Sequence, residues 1–189
     1  MCGSVQTCIR VQMGRPTNGE RTIRRVNAAG GQVIECGKDG TCMFHSFLVG
    51  AIMNPALEPA VSRPRRLAGR SRPACANAFM VQMQRVTAKS LRASVVDEMR
   101  RDWPRYSPFI EERLHVDYLA RMARFTEYAD HPELIALSQV YGVTIHVWGA
   151  ESTAIISANP DAPGSLPIVS LAHRDAGDSR DHYWAVQLP

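Results

Sequence analysis

The chain has few cysteines, almost no lysine and no long apolar run. Its five cysteines are an odd number and no two have C-x-x-C spacing, so neither a disulfide framework nor a cysteine-rich zinc site is expected. The longest apolar run, Phe47 to Met53, is far shorter than the roughly 20 residues that span a membrane. The first residues also lack the basic-then-apolar order of a signal peptide. These absences predict a cytoplasmic protein with no metal, no cofactor and no membrane partner.

The length of 189 residues predicts one domain over residues 31–189, preceded by an N-terminal extension over residues 1–30. The net charge is +4, and the basic residues are Arg except for Lys38 and Lys89. An Arg-rich loop covers residues 62–73, among prolines and glycine. No aromatic residues are interleaved there to stack on bases, so we interpret the loop as solvated and expect no nucleic-acid partner.

Two short strand patterns lie before Cys42, helical patterns follow them, and the remaining strand patterns come last. Apolar spacing predicts four helices, over Cys42–Met53, Val81–Arg101, Phe109–Arg124 with a break near His115, and His131–Tyr141. Runs rich in β-branched residues predict short strands at Thr22–Val26, Gln32–Cys36, Val143–Trp148, Ala154–Ser157, Pro167–Leu171 and Tyr183–Leu188. This order is typical of an α+β fold.

Cys42 is the candidate nucleophile, because it lies where the turn Asp39-Gly40-Thr41 runs into an apolar helix. The positive end of a helix dipole stabilises a thiolate and lowers its pKa. The alternative is a small buried residue that begins a core helix. A partner base would come from the six histidines, which are His45, His115, His131, His146, His173 and His182. We favour His182, because it lies at the beginning of the last strand.

Four segments, in order, resemble the ovarian-tumour (OTU) family of cysteine proteases, most of which are deubiquitinases. They are Asp39-Gly40-Thr41-Cys42-Met43-Phe44, Ser90-Leu91-Arg92 with Tyr118-Leu119-Ala120-Arg121-Met122, Glu133-Leu134-Ile135-Ala136-Leu137-Ser138 with Tyr141-Gly142-Val143-Thr144-Ile145-His146-Val147, and His182-Tyr183. The resemblance covers about Val33 to Val186. It implies a papain-like α+β fold, with a small sheet packed between helices and the nucleophile at the start of a central helix.

The resemblance also implies a role for each matching residue. Cys42 is the nucleophile, His182 is the general base and then acid, and Asp39 is the acidic residue of the cysteine loop. The backbone amides of Gly40, Thr41 and Cys42 are implied to form the oxyanion hole, which typically contributes a few kcal/mol.

The chain departs from the family pattern at three positions. His45 stands where Arg is usual and Thr41 where Asn is usual. Trp184 stands two residues after the histidine, where an Asp or Asn often orients the ring. Asp178, Asp181 or Asn27 could replace that group, or the enzyme could run as a Cys–His dyad. Trp184 itself either shields the catalytic pair or packs beneath the cleft.

The resulting hypothesis is a deubiquitinase-type thiol protease that hydrolyses bonds after the C-terminal Gly-Gly of ubiquitin or a ubiquitin-like modifier. We expect it to act as a monomer in the cytosol, or in the host cytosol if it comes from a pathogen. The alternative is a ubiquitin-binding module of the same fold that has lost turnover, because residues usual in the family are replaced at His45 and Trp184.

Overall fold

A computed structural model of the chain describes residues 17–36, 40–53, 88–111, 115–161, 164, 166–174 and 182–189. Within these ranges lie six α-helices, and a 3₁₀ turn, Ser107–Phe109, follows the fourth helix. The helices are α1 Asn18–Ala28, α2 Cys42–Met53, α3 Ala88–Arg101, α4 Trp103–Tyr106, α5 His115–Met122 and α6 His131–Tyr141. No helix in the described ranges is long and apolar enough to cross a membrane.

A five-stranded sheet forms the centre of the fold, in the order β1-β5-β4-β2-β3. Its strands are β1 Gln32–Ile34, β2 Thr144–Trp148, β3 Thr153–Ser157, β4 Ile168–Arg174 and β5 His182–Gln187. Three of the four strand pairs are antiparallel, and β2 with β4 is parallel. Strand β5, which follows the other four along the chain, therefore lies between β1 and β4.

The two faces of the sheet carry separate apolar clusters. The larger cluster joins α2, α3, α5 and α6 to one face and includes Phe44, Phe47, Leu91 and Leu171. The smaller one lies on the other face, where Val26 of α1 meets Ala172, Trp184 and Val186. The α+β prediction is confirmed, with the sheet packed between α1 on one side and the remaining helices on the other.

The predicted strand Thr22–Val26 is wrong, because these residues lie in α1. The Thr17 side chain accepts from the Glu20 amide, and the Glu20 carboxylate accepts from the Thr17 amide, which closes a capping box. Thr22 and Val26 are then one turn apart and both are buried, so helical spacing overrides the β-branched composition. This helix lies within the segment that the sequence assigned to an extension.

The other predicted elements agree with the structure, with local differences. Residues 81–87 of the predicted Val81–Arg101 helix lie outside the described residues, as does the Arg-rich loop. Phe109 and Ile110 of the predicted Phe109–Arg124 pattern are not α-helical, since Phe109 ends a 3₁₀ turn and Ile110 is extended; α5 begins at His115, where the pattern is predicted to break. Gly142 ends α6 in the left-handed conformation, as its position after the last apolar residue predicts.

Candidate active site

Cys42 is the first residue of α2, and its side chain is buried. The carbonyl of Thr41 accepts the His45 amide at 3.0 Å, which makes Thr41 the residue that caps the helix. The thiol thus lies at the end of a twelve-residue helix where amide groups and the dipole favour negative charge. The predicted position of Cys42 at the start of a helix is confirmed.

Gly40 is required here by close packing. A Cβ atom at this position would lie 2.6 Å from the Thr126 carbonyl carbon and 2.7 Å from the carbonyl oxygens of Thr126 and Glu127. Its φ angle lies outside the left-handed range, so conformational freedom is not the reason for the glycine. The turn before Cys42 therefore rests directly on the backbone of the segment that follows α5.

Arg92 connects this turn to two other segments. Its side chain, which is 1% exposed, donates to the carbonyl oxygens of Gly40 at 2.6 Å, Glu127 at 2.8 Å and Met122 at 2.8 Å. The guanidinium also lies 4.6 Å from the centre of the Phe44 ring, in cation–π geometry. A buried guanidinium thus holds the turn at Gly40-Thr41, named the nucleophile turn after the predicted role of Cys42, against the end of α5.

The sequence reasoning matched Arg92 to a family motif but assigned it no role. The available signal was its position on α3, where it shares a helical face with Val95, Val96 and Met99, all of them buried. An arginine on the apolar face of a helix needs several acceptors, because a charge without partners is costly to bury.

His182 is the first residue of β5 and is also buried. Helix α2 packs against β5, and the Ser46 hydroxyl donates to the Tyr183 carbonyl at 2.8 Å across that contact. Ser46 lies one helical turn after Cys42, and Tyr183 is the residue next to His182. This bond brings the first turn of α2 to the beginning of β5, so the segments that carry Cys42 and His182 meet although 140 positions separate them.

Trp184 packs as a core residue. It is buried with Val26, Ala172 and Val186, and a Cβ atom at Gly19 would lie 3.4 Å from its ring. Its ring and that of His182 are T-shaped, with centroids 5.5 Å apart. Two residues after His182, where the family pattern often has Asp or Asn, an indole therefore contacts the imidazole.

The remaining candidates for orienting His182 differ in their placement. Asn27 lies in the last turn of α1 and lines a cavity of about 360 Å³ together with Glu35 and Trp184. Gly19, which meets the Trp184 ring, is at the other end of α1, about 12 Å from Asn27 at 1.5 Å per residue. Asp39, Asp178 and Asp181 lie outside the described residues.

The other described histidines are distributed over the fold. His45 is half-buried on α2 and His131 begins α6, where its ring meets the Phe109 ring edge-on at 5.3 Å. His173 on β4 packs its ring against Tyr183 at 4.8 Å. His146 lies on β2, where burial lowers its pKa.

A buried carboxyl group lies beside the segment that supports the nucleophile turn. Glu133 of α6 accepts from the Tyr118 hydroxyl at 2.6 Å and from the Asp130 amide at 2.9 Å. Burial, the largest effect, raises the pKa of Glu133 to about 7, although these hydrogen bonds favour the ionised form. Burial and the nearby Glu133 raise the pKa of Tyr118. Sequence reasoning noted Glu133 only as part of a family motif.

A protein-family model described as OTU-like cysteine protease matches residues 72–183 of the chain. The matched range contains Arg92, Glu133 and His182 and begins after Cys42. No curated protein matches the chain.

Solved structures of OTU domains share the fold. The OTU domain of OTUD1 is 19% identical with a TM-score of 0.57, and the match covers 89% of this chain and 93% of that one. A complex of OTUB1, ubiquitin aldehyde and UBCH5B~Ub is 15% identical with a TM-score of 0.55, over 82% of this chain and 76% of that one. The viral OTU domain protease from Taggert virus is 16% identical with a TM-score of 0.50, over 84% and 80%.

Proposed function

Since the chain belongs to the OTU-like cysteine protease family, we propose that it is a deubiquitinase-type thiol hydrolase. Its substrates are peptide or isopeptide bonds after the C-terminal Gly-Gly of ubiquitin or a ubiquitin-like modifier. The observation that carries the proposal is the bond from Ser46 to the Tyr183 carbonyl, which joins the first turn of the Cys42 helix to the strand of His182. The complex of OTUB1 with ubiquitin aldehyde supports the choice of modifier.

The reaction begins with His182 as the base that takes the thiol proton of Cys42. The thiolate attacks the glycine carbonyl carbon, and the carbonyl oxygen becomes an oxyanion held by the amides of the 40–42 turn. When this intermediate collapses, the C–N bond breaks and the His182 imidazolium gives its proton to the departing amine. Water, deprotonated by His182, then hydrolyses the thioester and regenerates the thiol.

What orients His182 is part of the same proposal. Trp184 packs in the core beside His182, and we treat the catalytic unit as a Cys42–His182 dyad with Asp39 as the acidic residue of the turn. Asp178, Asp181 and Asn27 remain candidates for a third member, each tested by its own substitution to Ala. We further propose a cytosolic monomer; the odd number of cysteines, with no C-x-x-C spacing, supports a reducing compartment.

The test uses a ubiquitin probe with a C-terminal electrophile, together with a panel of di-ubiquitin linkages. We expect the wild-type protein to form a covalent adduct and to cleave at least one linkage, and Cys42→Ala to do neither. Cys36→Ala is the matched control, because Cys36 is also a buried free cysteine but lies on the chain before the turn. Cleavage by Cys42→Ala, or no adduct with the wild type, would show that the mechanism is wrong.

A second candidate is a ubiquitin-binding module without turnover. The packing of Trp184 among Val26, Ala172 and Val186 favours it, because this side chain offers no carboxylate or amide to His182. In that case immobilised ubiquitin retains the protein, but the electrophilic probe does not label it. Retention and labelling together exclude this candidate.

A further inference from the structure

We propose that Arg92 is a positioning residue for the oxyanion hole, acting through the peptide group between Gly40 and Thr41. The inference rests on the proposed function. The inference goes beyond that function because it assigns a role in catalysis to a residue of another helix that does not touch the substrate.

The first step is the geometry of one peptide unit. The Gly40 carbonyl and the Thr41 amide belong to the same planar group, and a trans peptide directs its C=O and N–H in opposite directions. No cis peptide bond occurs in the described part of the chain. Because Arg92 holds the Gly40 oxygen at 2.6 Å, the Thr41 N–H is directed away from the guanidinium. Arg92 thereby fixes the direction of an amide proposed to hold the oxyanion.

The second step is the rigidity of the guanidinium. The same side chain donates to Met122 at the end of α5 and to Glu127 beyond it, so it has little freedom to follow the turn if the turn moves. Its planar arrangement of donors suits several acceptors at once, and burial makes each unmade bond costly. Phe44, one turn into the Cys42 helix, packs on its flat face. The carbonyl is therefore held by a group that is itself fixed from three sides.

The third step is the steric support of the same turn. Gly40 already contacts the carbonyls of Thr126 and Glu127, so a rotation of the 40–41 peptide would have to move against this backbone. Arg92 attracts the Gly40 carbonyl oxygen, and the close packing of Gly40 restricts rotation of the 40–41 peptide. Preorganised donors of this kind act because they need no rearrangement when charge develops.

The experiment compares Arg92→Met and Arg92→Lys with the wild type and with Arg100→Met, a control on the exposed face of the same helix, where Arg100 pairs with Asp97. Two reactions of Cys42 are measured. Hydrolysis of a ubiquitin C-terminal fluorogenic amide passes through an oxyanion and gives kcat and KM. Alkylation by iodoacetamide, followed by mass spectrometry of the Cys42 peptide, is a displacement at a methylene carbon and needs no oxyanion hole.

For Arg92→Met we expect a fall in kcat of about 10²-fold, the loss typical of one oxyanion donor. KM and the alkylation rate should stay within about twofold of wild type, because substrate binding and thiolate formation do not use this amide. Arg92→Lys should lose less, since one ammonium can still reach a carbonyl oxygen. Arg100→Met should match the wild type in all three quantities.

The outcomes separate this inference from the proposed function. If the wild type neither hydrolyses the amide nor reacts with the electrophilic probe, the proposed function has failed. If the wild type is active, the inference is overturned by unchanged kcat in both Arg92 variants. It is equally overturned if kcat and the alkylation rate fall while KM rises, or if neither variant folds as judged by its thermal transition, because the residue is then structural only.

Discussion

The replacement of Gly40 by alanine tests whether the nucleophile turn is held by direct contact with the segment after α5. The added Cβ would lie 2.6 Å from the Thr126 carbonyl carbon. Carbon atoms prefer roughly 3.5 to 4.0 Å, so the turn must retreat by about 1 Å. The obstructing atoms are backbone atoms and cannot rotate away as a flexible side chain would.

The expected magnitudes follow from that displacement. A shift of about 1 Å in a catalytic group costs about 10²-fold in rate, so kcat/KM for the fluorogenic ubiquitin amide should fall by that factor. Overpacking typically costs about 1–3 kcal/mol, and replacing glycine lowers the entropy of the unfolded chain by an opposing ~0.4–1 kcal/mol. We therefore expect the free energy of unfolding of Gly40→Ala to fall by about 1–2 kcal/mol, which leaves the protein folded.

The assay combines steady-state kinetics with urea unfolding, and the control is Gly164→Ala. A Cβ atom at Gly164 would meet nothing within 4 Å, and its φ angle is not in the left-handed range, so this variant should keep wild-type rates and gain ~0.4–1 kcal/mol in the free energy of unfolding. Wild-type kcat/KM in Gly40→Ala would refute the reasoning, because the turn would then be independent of the 126–127 backbone. A loss in both variants would point to a general effect of alanine instead.

Two further predictions concern buried side chains near the site. The stability advantage of Glu133→Gln over wild type should grow by about 2–3 kcal/mol as pH rises from 5 to 8. In wild type, folding raises the pKa of Glu133 from 4.5 to about 7, so the carboxyl destabilises the folded state progressively as pH rises above 4.5, whereas Gln does not titrate. Urea unfolding of both proteins across this range measures the difference in stability, and a difference independent of pH contradicts the prediction. Trp184→Asn places an amide two residues after His182. Because the indole fills the core beside Val26, this variant should lower the free energy of unfolding by about 3–5 kcal/mol and should not raise kcat/KM. Trp184→Phe is its control in thermal unfolding and kinetics, and higher activity in Trp184→Asn would show that the indole occupies the place of an orienting group.

Local patterns in the sequence were sufficient for elements whose spacing is strong. The start of α2 at Cys42 and the end of α6 at Gly142 follow from a turn, apolar periodicity and a left-handed cap. The strands β2 to β5 follow from β-branched runs. In α1 the β-branched residues predict a strand, although Thr17 and Glu20 before them have the spacing of a capping box.

Other features depend on contacts between distant segments and have no local signature. Nothing within residues 182–187 indicates that β5 pairs with β1 on one side and β4 on the other. Likewise, the close approach of Gly40 to Thr126 and the three carbonyls around Arg92 exist only once α5 and the nucleophile turn have come together. The candidate site could be predicted as a Cys–His pair, but its supporting contacts could not.

The place of β5 in the sheet bears on when the proposed catalytic pair can form during synthesis. Strand β1 pairs only with β5 among the described strands, and β5 follows the other four along the chain. A nascent chain that has emerged as far as β4 therefore carries the Cys42 helix without the strand of His182, the proposed base. Since domains generally fold as units during translation, the thiol should gain its partner only after residues 182–187 leave the ribosome. An incomplete polypeptide would thus lack the proposed Cys42–His182 pair.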